Sequence, residues 1–470
     1  MKSNKRHQSF VTPRHLYGEF REHLVHVLES DETFKAKYLL KEFESKLLDP
    51  DYSDPPAVRR ERAITKWLNC EVTNRETNVR LMHMSDEDVL FVQDGFPVDA
   101  IQIADRAAMF IRGVLGDLPP ETLRGSFSGG ASTSVKRGFG TIARKYLEGS
   151  DITEGAVMHF LALTRSVQWA PRDFRCVRGN VMFTVPKSTV IDRCACKEPD
   201  YNMYVQKAVG DEIRRRLKRV GIDLNDQTLN QRLALEGSRE GNLATVDLSS
   251  ASDSVTKQLV LRLLPDEWFY LMDDIRSPET EIDGEWHLNE MFSSMGNAFT
   301  FELESLLFWA ITRAVAYHSG IKGRISVYGD DIICPVGIYD RLRDTLSFFG
   351  FTVNEKKSFS AGSFRESCGK HYDASQDVTP FYVRKVPADQ SDWIHLLNSF
   401  RRWTNTGSLN MCDPRYYAIW DRFASVVDRP LHGGDDLDRR DILVVPGIRP
   451  LARLVREQRT RLGERRRLQL

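Results

Sequence analysis

The chain has 470 residues, 41% of them apolar and 28% charged, and its 66 basic side chains balance 66 acidic ones. That composition excludes a disordered chain, a collagen-like chain and a membrane-embedded bundle, and the length suggests two to four domains. Zero net charge leaves nucleic acid open as a partner, provided that any basic surface is local.

Lys2, Lys5, Arg6, Arg14 and Arg21 predict a basic arm or surface helix at the N-terminus. The stretch 49–56 (DPDYSDPP) is loop by composition. The Gly/Ser-rich stretch 125–138 reads as a surface loop, with a backbone phosphate cradle as the alternative. Residues 181–198 alternate short β-branched runs with Lys187, Arg193 and Lys197, which predicts strands carrying cations. A helix is expected over 204–220, where Arg214, Arg215, Arg216, Lys218 and Arg219 form either a solvated face or a phosphate-tracking one. From residue 240 the pattern sharpens. LATVDL (243–248) is a strand ending in an acid, 254–264 has helical periodicity, and 297–317 is a long helix with one apolar face. Two β-branched runs, 324–328 and 332–336, flank Gly329–Asp330–Asp331 as a hairpin, and 341–349 is a helix closed by Gly350. This order predicts an antiparallel sheet backed by helices. Residues 433–441 read as a linker, and 451–470 as an amphipathic helix with a basic face.

Seven cysteines, none in a CxxC pair, predict free thiols in a reducing compartment. No apolar run approaches the roughly 20 residues that cross a bilayer, so a soluble intracellular protein is expected.

Adjacent carboxylates in a hairpin turn, Asp330 and Asp331, repel, and each raises the other's pKa unless a cation sits between them. A divalent metal resolves this. Oxygen-only ligands favour Mg²⁺, which takes one or two carboxylates together with waters and substrate phosphates. Asp247 ends an apolar strand. With that strand beside 324–328 in one sheet, Asp247 and Asp330 converge, and three carboxylates from two strands hold two Mg²⁺ ions about 4 Å apart for in-line nucleotidyl transfer. For Gly-Asp-Asp taken alone, a polar hairpin turn is the plain alternative.

The order Asp247…Asp253, then Ser294–Met295–Gly296–Asn297 with Thr300, then Tyr328–Gly329–Asp330–Asp331 matches motifs A, B and C of RNA-dependent RNA polymerases. The local text is more specific. LNDQTLNQRLALEGS (224–238), LATVDLSSASDS (243–254), SSMGNAFTFELES (293–305), VYGDDII (327–333) and FRESCGKHYDASQDVTPFYVRK (364–385) resemble the replicase subunits of positive-strand RNA bacteriophages of the levivirus group. The resemblance covers roughly residues 180–400.

The resemblance implies an α/β (α+β) right-hand polymerase fold with an antiparallel-sheet palm and a small helical thumb. The N-terminal region and fingers would span 1–224, the palm 225–385, and the thumb with its basic tail 386–470. The implied activity is RNA-directed RNA synthesis, replicating a single-stranded positive-sense phage genome in the host bacterial cytoplasm. RNA template and product, NTPs and two Mg²⁺ ions (Mn²⁺ as a substitute) are implied with it. So are the host partners of the family: elongation factors Tu and Ts and a small-subunit ribosomal protein. Asp247, Asp330 and Asp331 match the metal ligands. Lys187, Arg193 and Lys197 match the basic fingers strands that neutralise the triphosphate. Asp253, Ser294, Gly296, Asn297 and Thr300 match the residues that hold ribose and template. Lys356 or Lys357 matches the lysine that protonates pyrophosphate. Phe364, Arg365, Lys370 and His371 fall in the motif that supports the growing strand. Many eukaryotic-virus polymerases have Asn four residues after the motif B Thr, where this chain has Glu304.

Other readings are distinguishable. A reverse transcriptase would carry a bulky aromatic near motif A, where this chain has Ala251 and Ser252. A non-catalytic scaffold would have lost a metal carboxylate. Asp253 has the alternative of capping the 254–264 helix, and His371 that of a packed or surface histidine. Cys334 and Cys368 are expected as small buried hydrophobes.

Overall fold

The computed structural model describes residues 12–165, 169, 173–405, 413–434 and 436–445. Lys2, Lys5, Arg6, Cys412 and the 451–470 arginine helix lie outside the described residues. The chain divides into two compact units. One joins the residues up to Ser53 with those from Val378 onward, and the other is Asp54–Asp377.

The first unit is helical. His15–Ser30 buries Tyr17, Phe20, Leu24 and Leu28, a stripe at helical spacing, and packs on Pro414–Ala424. Trp393, from the helix Gln390–Trp403, stacks on Phe423 with centroids 5.7 Å apart. Phe20 meets both rings edge-on. Arg14 and Arg21, expected in a basic arm, pair with Asp49 and Glu44 within this unit.

The second unit is built around the helix Thr300–His318. It was expected to bury one face, but it is buried almost all round, Glu302, Glu304 and Ser305 included. The cause is its neighbours: Ala100–Leu115, Asp200–Arg219, Tyr339–Phe348 and the strand Ser326–Tyr328 all pack on it. The strand expected at 243–248 is Leu243–Val246, every residue buried. It joins a three-stranded antiparallel sheet whose centre is Asp331–Pro335, with Ser326–Tyr328 on the other side, so its neighbour is the second strand of the hairpin and not the expected 324–328. A continuous apolar run is what a strand covered on both faces requires.

A second sheet carries the expected cationic strands. Gly179–Pro186 and Asp192–Lys197 form a hairpin, joined in parallel by Glu279–Ile282 from a further hairpin. The long helix Pro56–Met82 starts with proline at its first turn, where the missing N–H costs nothing. It packs on both the Asp192–Lys197 strand and the Ser252–Ser254 turn. The helix expected over 204–220 is Asp200–Arg219, and most of its cations are spent inside the protein. Arg214 binds Glu302 at 2.6 Å, Arg215 and Arg216 bind Glu212, each at 2.5 Å, and Lys218 pairs with Asp223. They brace the helix and do not form a free phosphate-tracking row.

The 125–138 loop is also internally committed. Ser132 and Ser134 donate to the buried Asp200 carboxylate, and Lys145 Nζ donates to the Ser128 carbonyl at 2.8 Å. Among the described residues no helix is long and apolar enough to cross a membrane.

Candidate active site

Pairing in the three-stranded sheet runs Ile332 to Val246 and Ile333 to Thr245. Continued by one residue, this register sets Asp331 opposite Asp247. The hairpin closes through two residues, Gly329 and Asp330, between the paired Tyr328 and Asp331. Gly329 has φ +62°, the positive value that the first position of a tight hairpin turn requires. Its N–H donates to Ser305 Oγ at 2.9 Å, so the central helix holds the turn. A Cβ there would stand 2.6 Å from the Phe301 ring and 3.1 Å from Glu304 Oε1.

Asp247 and Asp330 line one open cavity of about 450 Å³. The Asp247 carboxylate accepts from Asn354 Nδ2 at 2.8 Å. Its backbone is held by the Ser358 hydroxyl, which accepts from Asp247 N–H at 3.0 Å. Burial, then the charge of Asp247, raises the pKa of Asp330. Burial and then Asp330 push Asp331 up to about 7. Asp331, expected to converge with Asp247 and Asp330, is not among the lining residues; its carboxylate accepts from Ser367 Oγ at 3.3 Å.

The same cavity is walled by Lys66, Lys187, Arg193 and Lys357. Lys187 sits in the loop after the strand Gly179–Pro186, and Arg193 on the partner strand. Desolvation, then Arg193, Lys66 and Lys357, lowers the pKa of Lys187. Burial also opposes the Lys357 charge, but Glu366, Asp247, Asp331 and Asp330 together hold its pKa above the ordinary lysine value. Lys356 and Lys197 are not among the lining residues.

Asp253 also lines the cavity. It lies in a short turn, and the helix that follows is Lys257–Leu263 with Thr256 as its N-cap. The capping alternative is therefore excluded, and the Asp253 carboxyl faces the cavity. Burial raises its pKa to about 6, with Lys66 the strongest opposing charge. Its carbonyl accepts from Asn74 Nδ2 at 2.7 Å. Burial, then Asp330 and Asp253, raises the pKa of Glu304 well above the carboxylate range.

The motif B residues behave differently. Ser294 is buried, accepting from Asn180 Nδ2 at 2.9 Å. Thr300 donates to Ser293 Oγ at 2.8 Å. Gly296, at φ +124°, brings the backbone so close to the Cys196 carbonyl that a Cβ would lie 2.0 Å from its oxygen. Asn297 Oδ1 accepts from Phe299 N–H at 3.0 Å, and its Nδ2 is buried with no hydrogen-bond partner. From this segment the cavity is lined by Met295, Phe301 and Glu304 instead.

Arg365 is fully buried; its Nε donates to Leu243 O at 2.7 Å and its Nη1 to nearby carbonyls, while Nη2 is buried with no hydrogen-bond partner. It positions the strand that leads to Asp247. Phe364 packs edge-on to Phe359, and Lys370 pairs with Asp377 at 2.7 Å. His371 is buried, with Nε2 3.5 Å from Glu366 Oε1, as the packed reading expected. Cys334 is buried as expected, whereas Cys368 is half-buried with φ +49°. Lys66, Asn354 and Ser358 were not singled out from the sequence. They are common residue types outside the motif cores, and only the fold brings them here.

Among the described residues no group of three or more His, Cys, Asp or Glu could by itself hold a metal ion. An Mg²⁺ site that works with nucleotides needs no all-protein cage, because substrate phosphates and water fill its sphere. The donor set fits that demand. Hard carboxylate oxygens of Asp247 and Asp330 share the cavity, Asp331 adjoins, and the pKa of both hairpin carboxyls is raised in the absence of a cation.

The RNA replicase beta-chain family model matches residues 13–468. The RNA-directed RNA polymerase beta chain of Enterobacteria phage fr is 44% identical over 425 residues, covering 85% of this chain and 77% of the relative. The corresponding beta chain of Escherichia phage MS2 is 47% identical over 332 residues, covering 68% and 60%. The RNA-directed RNA polymerase subunit beta of Escherichia virus Qbeta is 39% identical, covering 85% and 67%. The alignments thus span about three fifths to three quarters of these relatives. The polymerase of a human picorbirnavirus superposes with a TM-score of 0.43 at 12% identity, covering 75% of each chain.

Proposed function

This chain belongs to the RNA replicase beta-chain family, and we propose that it catalyses RNA-directed RNA synthesis at the cavity between Asp247, Asp253 and Asp330. The observation that carries this reading is the convergence of three motif carboxylates, Asp247, Asp253 and Asp330, and four cations on one cavity. The product strand's 3′-OH attacks the α-phosphate of an NTP. A 3′-oxygen–phosphorus bond forms, the bond to the β-phosphate breaks, and pyrophosphate leaves.

Asp247, Asp330 and Asp331 would hold divalent ions, Mg²⁺ as the physiological choice and Mn²⁺ as a substitute. Bound there, two such ions would activate the attacking hydroxyl and stabilise the leaving oxygens. Asn354 keeps the Asp247 carboxylate turned toward the cavity. Lys187 and Arg193 receive the triphosphate, and their unneutralised charge favours it. Lys357, kept protonated by the carboxylates around it, is the donor to the pyrophosphate oxygen. Lys356 lies outside the cavity lining and is the weaker choice. Asp253 accepts from the ribose 2′-OH, close to Glu304. Lys197, Ser294, Gly296, Asn297 and Thr300 support the site by shaping the loop against the Cys196 strand. Phe364, Lys370 and His371 remain assigned to the growing strand.

The palm is assigned to 225–385, most of which falls in the Asp54–Asp377 unit. The fingers are assigned to the N-terminal half, and the thumb to the segment after 386. The relatives' names describe a beta chain, which supports further subunits. Host elongation factors Tu and Ts and a small-subunit ribosomal protein are the expected ones, in the bacterial cytoplasm. The test is incorporation of labelled NTP by the purified chain, alone and with these factors, on RNA templates of different sequence. Products whose composition follows the template are expected. Incorporation that ignores the template would overturn the reading.

A further inference from the structure

The helix Pro56–Met82 lies outside every motif recognised in the sequence, yet its side chains hold both walls of the cavity. At its start, Arg59 Nε binds Asp192 at 3.0 Å with both side chains buried. Asp192 precedes Arg193 on the cationic strand. Farther along, Cys70 and Asn74 meet the Asp253 carbonyl at 3.4 and 2.7 Å. Glu71 accepts from the N–H groups of Glu290 and Met291 at 2.7 and 3.0 Å. Asn78 Oδ1 accepts from Gln258 N–H at 3.0 Å. The helix is a rigid bar between the strand of Arg193 and the turn of Asp253.

Ala63, Lys66 and Trp67, one helical turn before Cys70, face the cavity from this bar. Among the described residues the side chain of Lys66 forms no hydrogen bond or ion pair, and neither do those of Lys187 and Arg193. Three cations on one wall repel one another. An exposed lysine normally turns to water or to a surface carboxylate. This one instead borders a cavity with Lys187 and Arg193, at a place fixed from both ends of its helix. The cavity carboxylates Asp247, Asp253 and Asp330 offset part of that repulsion, and an arriving phosphate would relieve it further.

We infer that Lys66 is a third phosphate-binding residue for the incoming nucleoside triphosphate, acting beside Lys187 and Arg193 from the N-terminal helix. The inference rests on the polymerase reading of the same cavity. An ammonium–phosphate hydrogen bond is charge-assisted, so its loss weakens nucleotide binding by about tenfold or more.

The test compares wild type with Lys66→Ala and Lys66→Arg. Position 66 is exposed on a helix and alanine is the best helix former, so melting temperatures should match and serve as the folding control. Lys66→Ala should raise the KM for NTP about tenfold or more, leave kcat within about twofold, and leave RNA affinity unchanged at fixed salt. Lys66→Arg should restore most of the KM. Binding of magnesium tripolyphosphate, measured by calorimetry without turnover, should weaken in parallel. An unchanged KM and unchanged tripolyphosphate affinity would overturn the inference. A loss of RNA affinity equal to the loss of nucleotide affinity would also overturn it, making Lys66 a template contact. If wild type incorporates nothing, the polymerase reading fails, and the calorimetric comparison still decides Lys66.

Discussion

Asn354 grips Asp247 twice: its side-chain amide donates to Asp247 Oδ1 at 2.8 Å, and its backbone N–H donates to the Asp247 carbonyl at 2.9 Å. A carboxylate meant to bind a cation must keep one oxygen turned toward it, and this pair of bonds fixes the rotamer. Partners of this kind are typically worth 10–100-fold in metal affinity or activity. Asn354→Ala should therefore cost about that much in incorporation and shift the Mg²⁺ requirement upward. A titration of rate against Mg²⁺ checks this. An unchanged midpoint would mean that Asp247 is oriented by the strand alone.

The hairpin carboxyls make stability depend on pH. Burial and Asp330 raise Asp331 from 3.8 to about 7, and burial raises Asp253 to about 6. A group that binds its proton more tightly when folded contributes stability that is full below the unfolded pKa and is lost as pH climbs through the folded one. Metal-free protein should therefore lose thermal stability between about pH 4 and pH 7. Asp331→Asn removes that contribution, so its melting temperature should exceed wild type's at pH 8 and approach it at pH 5. Melting curves in chelator decide the matter. A variant offset that is the same at both pH values would contradict it.

Gly329 is sterically required. Its φ of +62° and the 2.6 Å approach to Phe301 leave no room for a methyl group. Gly329→Ala should cost about 1–3 kcal/mol and displace Asp330, so incorporation should fall further than stability does. A full-rate variant would show that the turn tolerates a shifted carboxylate.

Sugar choice should run through Asp253. An ionised acceptor for the 2′-OH is left unpaired by a deoxy substrate, and in a partly wet site that is worth on the order of 10²–10³ in selectivity. Asp253→Ala should narrow the GTP/dGTP ratio of kcat/KM, chiefly by lowering GTP efficiency. Because Thr256 is the helix cap, melting temperature should change little. An unchanged ratio would remove Asp253 from ribose recognition.

Asp247, Asp330 and Asp331 stood out in the sequence because chemistry constrains such acids locally. An acid ending an apolar strand and two acids in a turn are costly arrangements that stand out in the sequence. The arginine row after residue 213 was only half-legible. Glu212 stands three and four residues from Arg215 and Arg216, which is salt-bridge spacing on a helix, and the structure uses it so. The partner of Arg214, Glu302, is 88 residues away and left no local trace. Lys66 and Asn354 were hidden for the same reason. Each is an ordinary residue until a helix bar or a strand crossing sets it beside Asp253 or Asp247. The motif B residues were singled out by their place in the chain. Their side chains turned out to hold the loop, while Met295, Phe301 and Glu304 between and beyond them line the cavity.

The central claim is that Asp247 and Asp330 hold the ions that drive nucleotidyl transfer. The most direct measurement is the single-nucleotide incorporation rate of Asp330→Asn at saturating NTP and Mg²⁺, alongside a melting curve. The amide is nearly isosteric and removes a buried charge, so the fold should survive. Loss of a metal ligand should lower the rate by roughly 10³-fold or more. A folded variant retaining more than about a tenth of the wild-type rate would contradict the account.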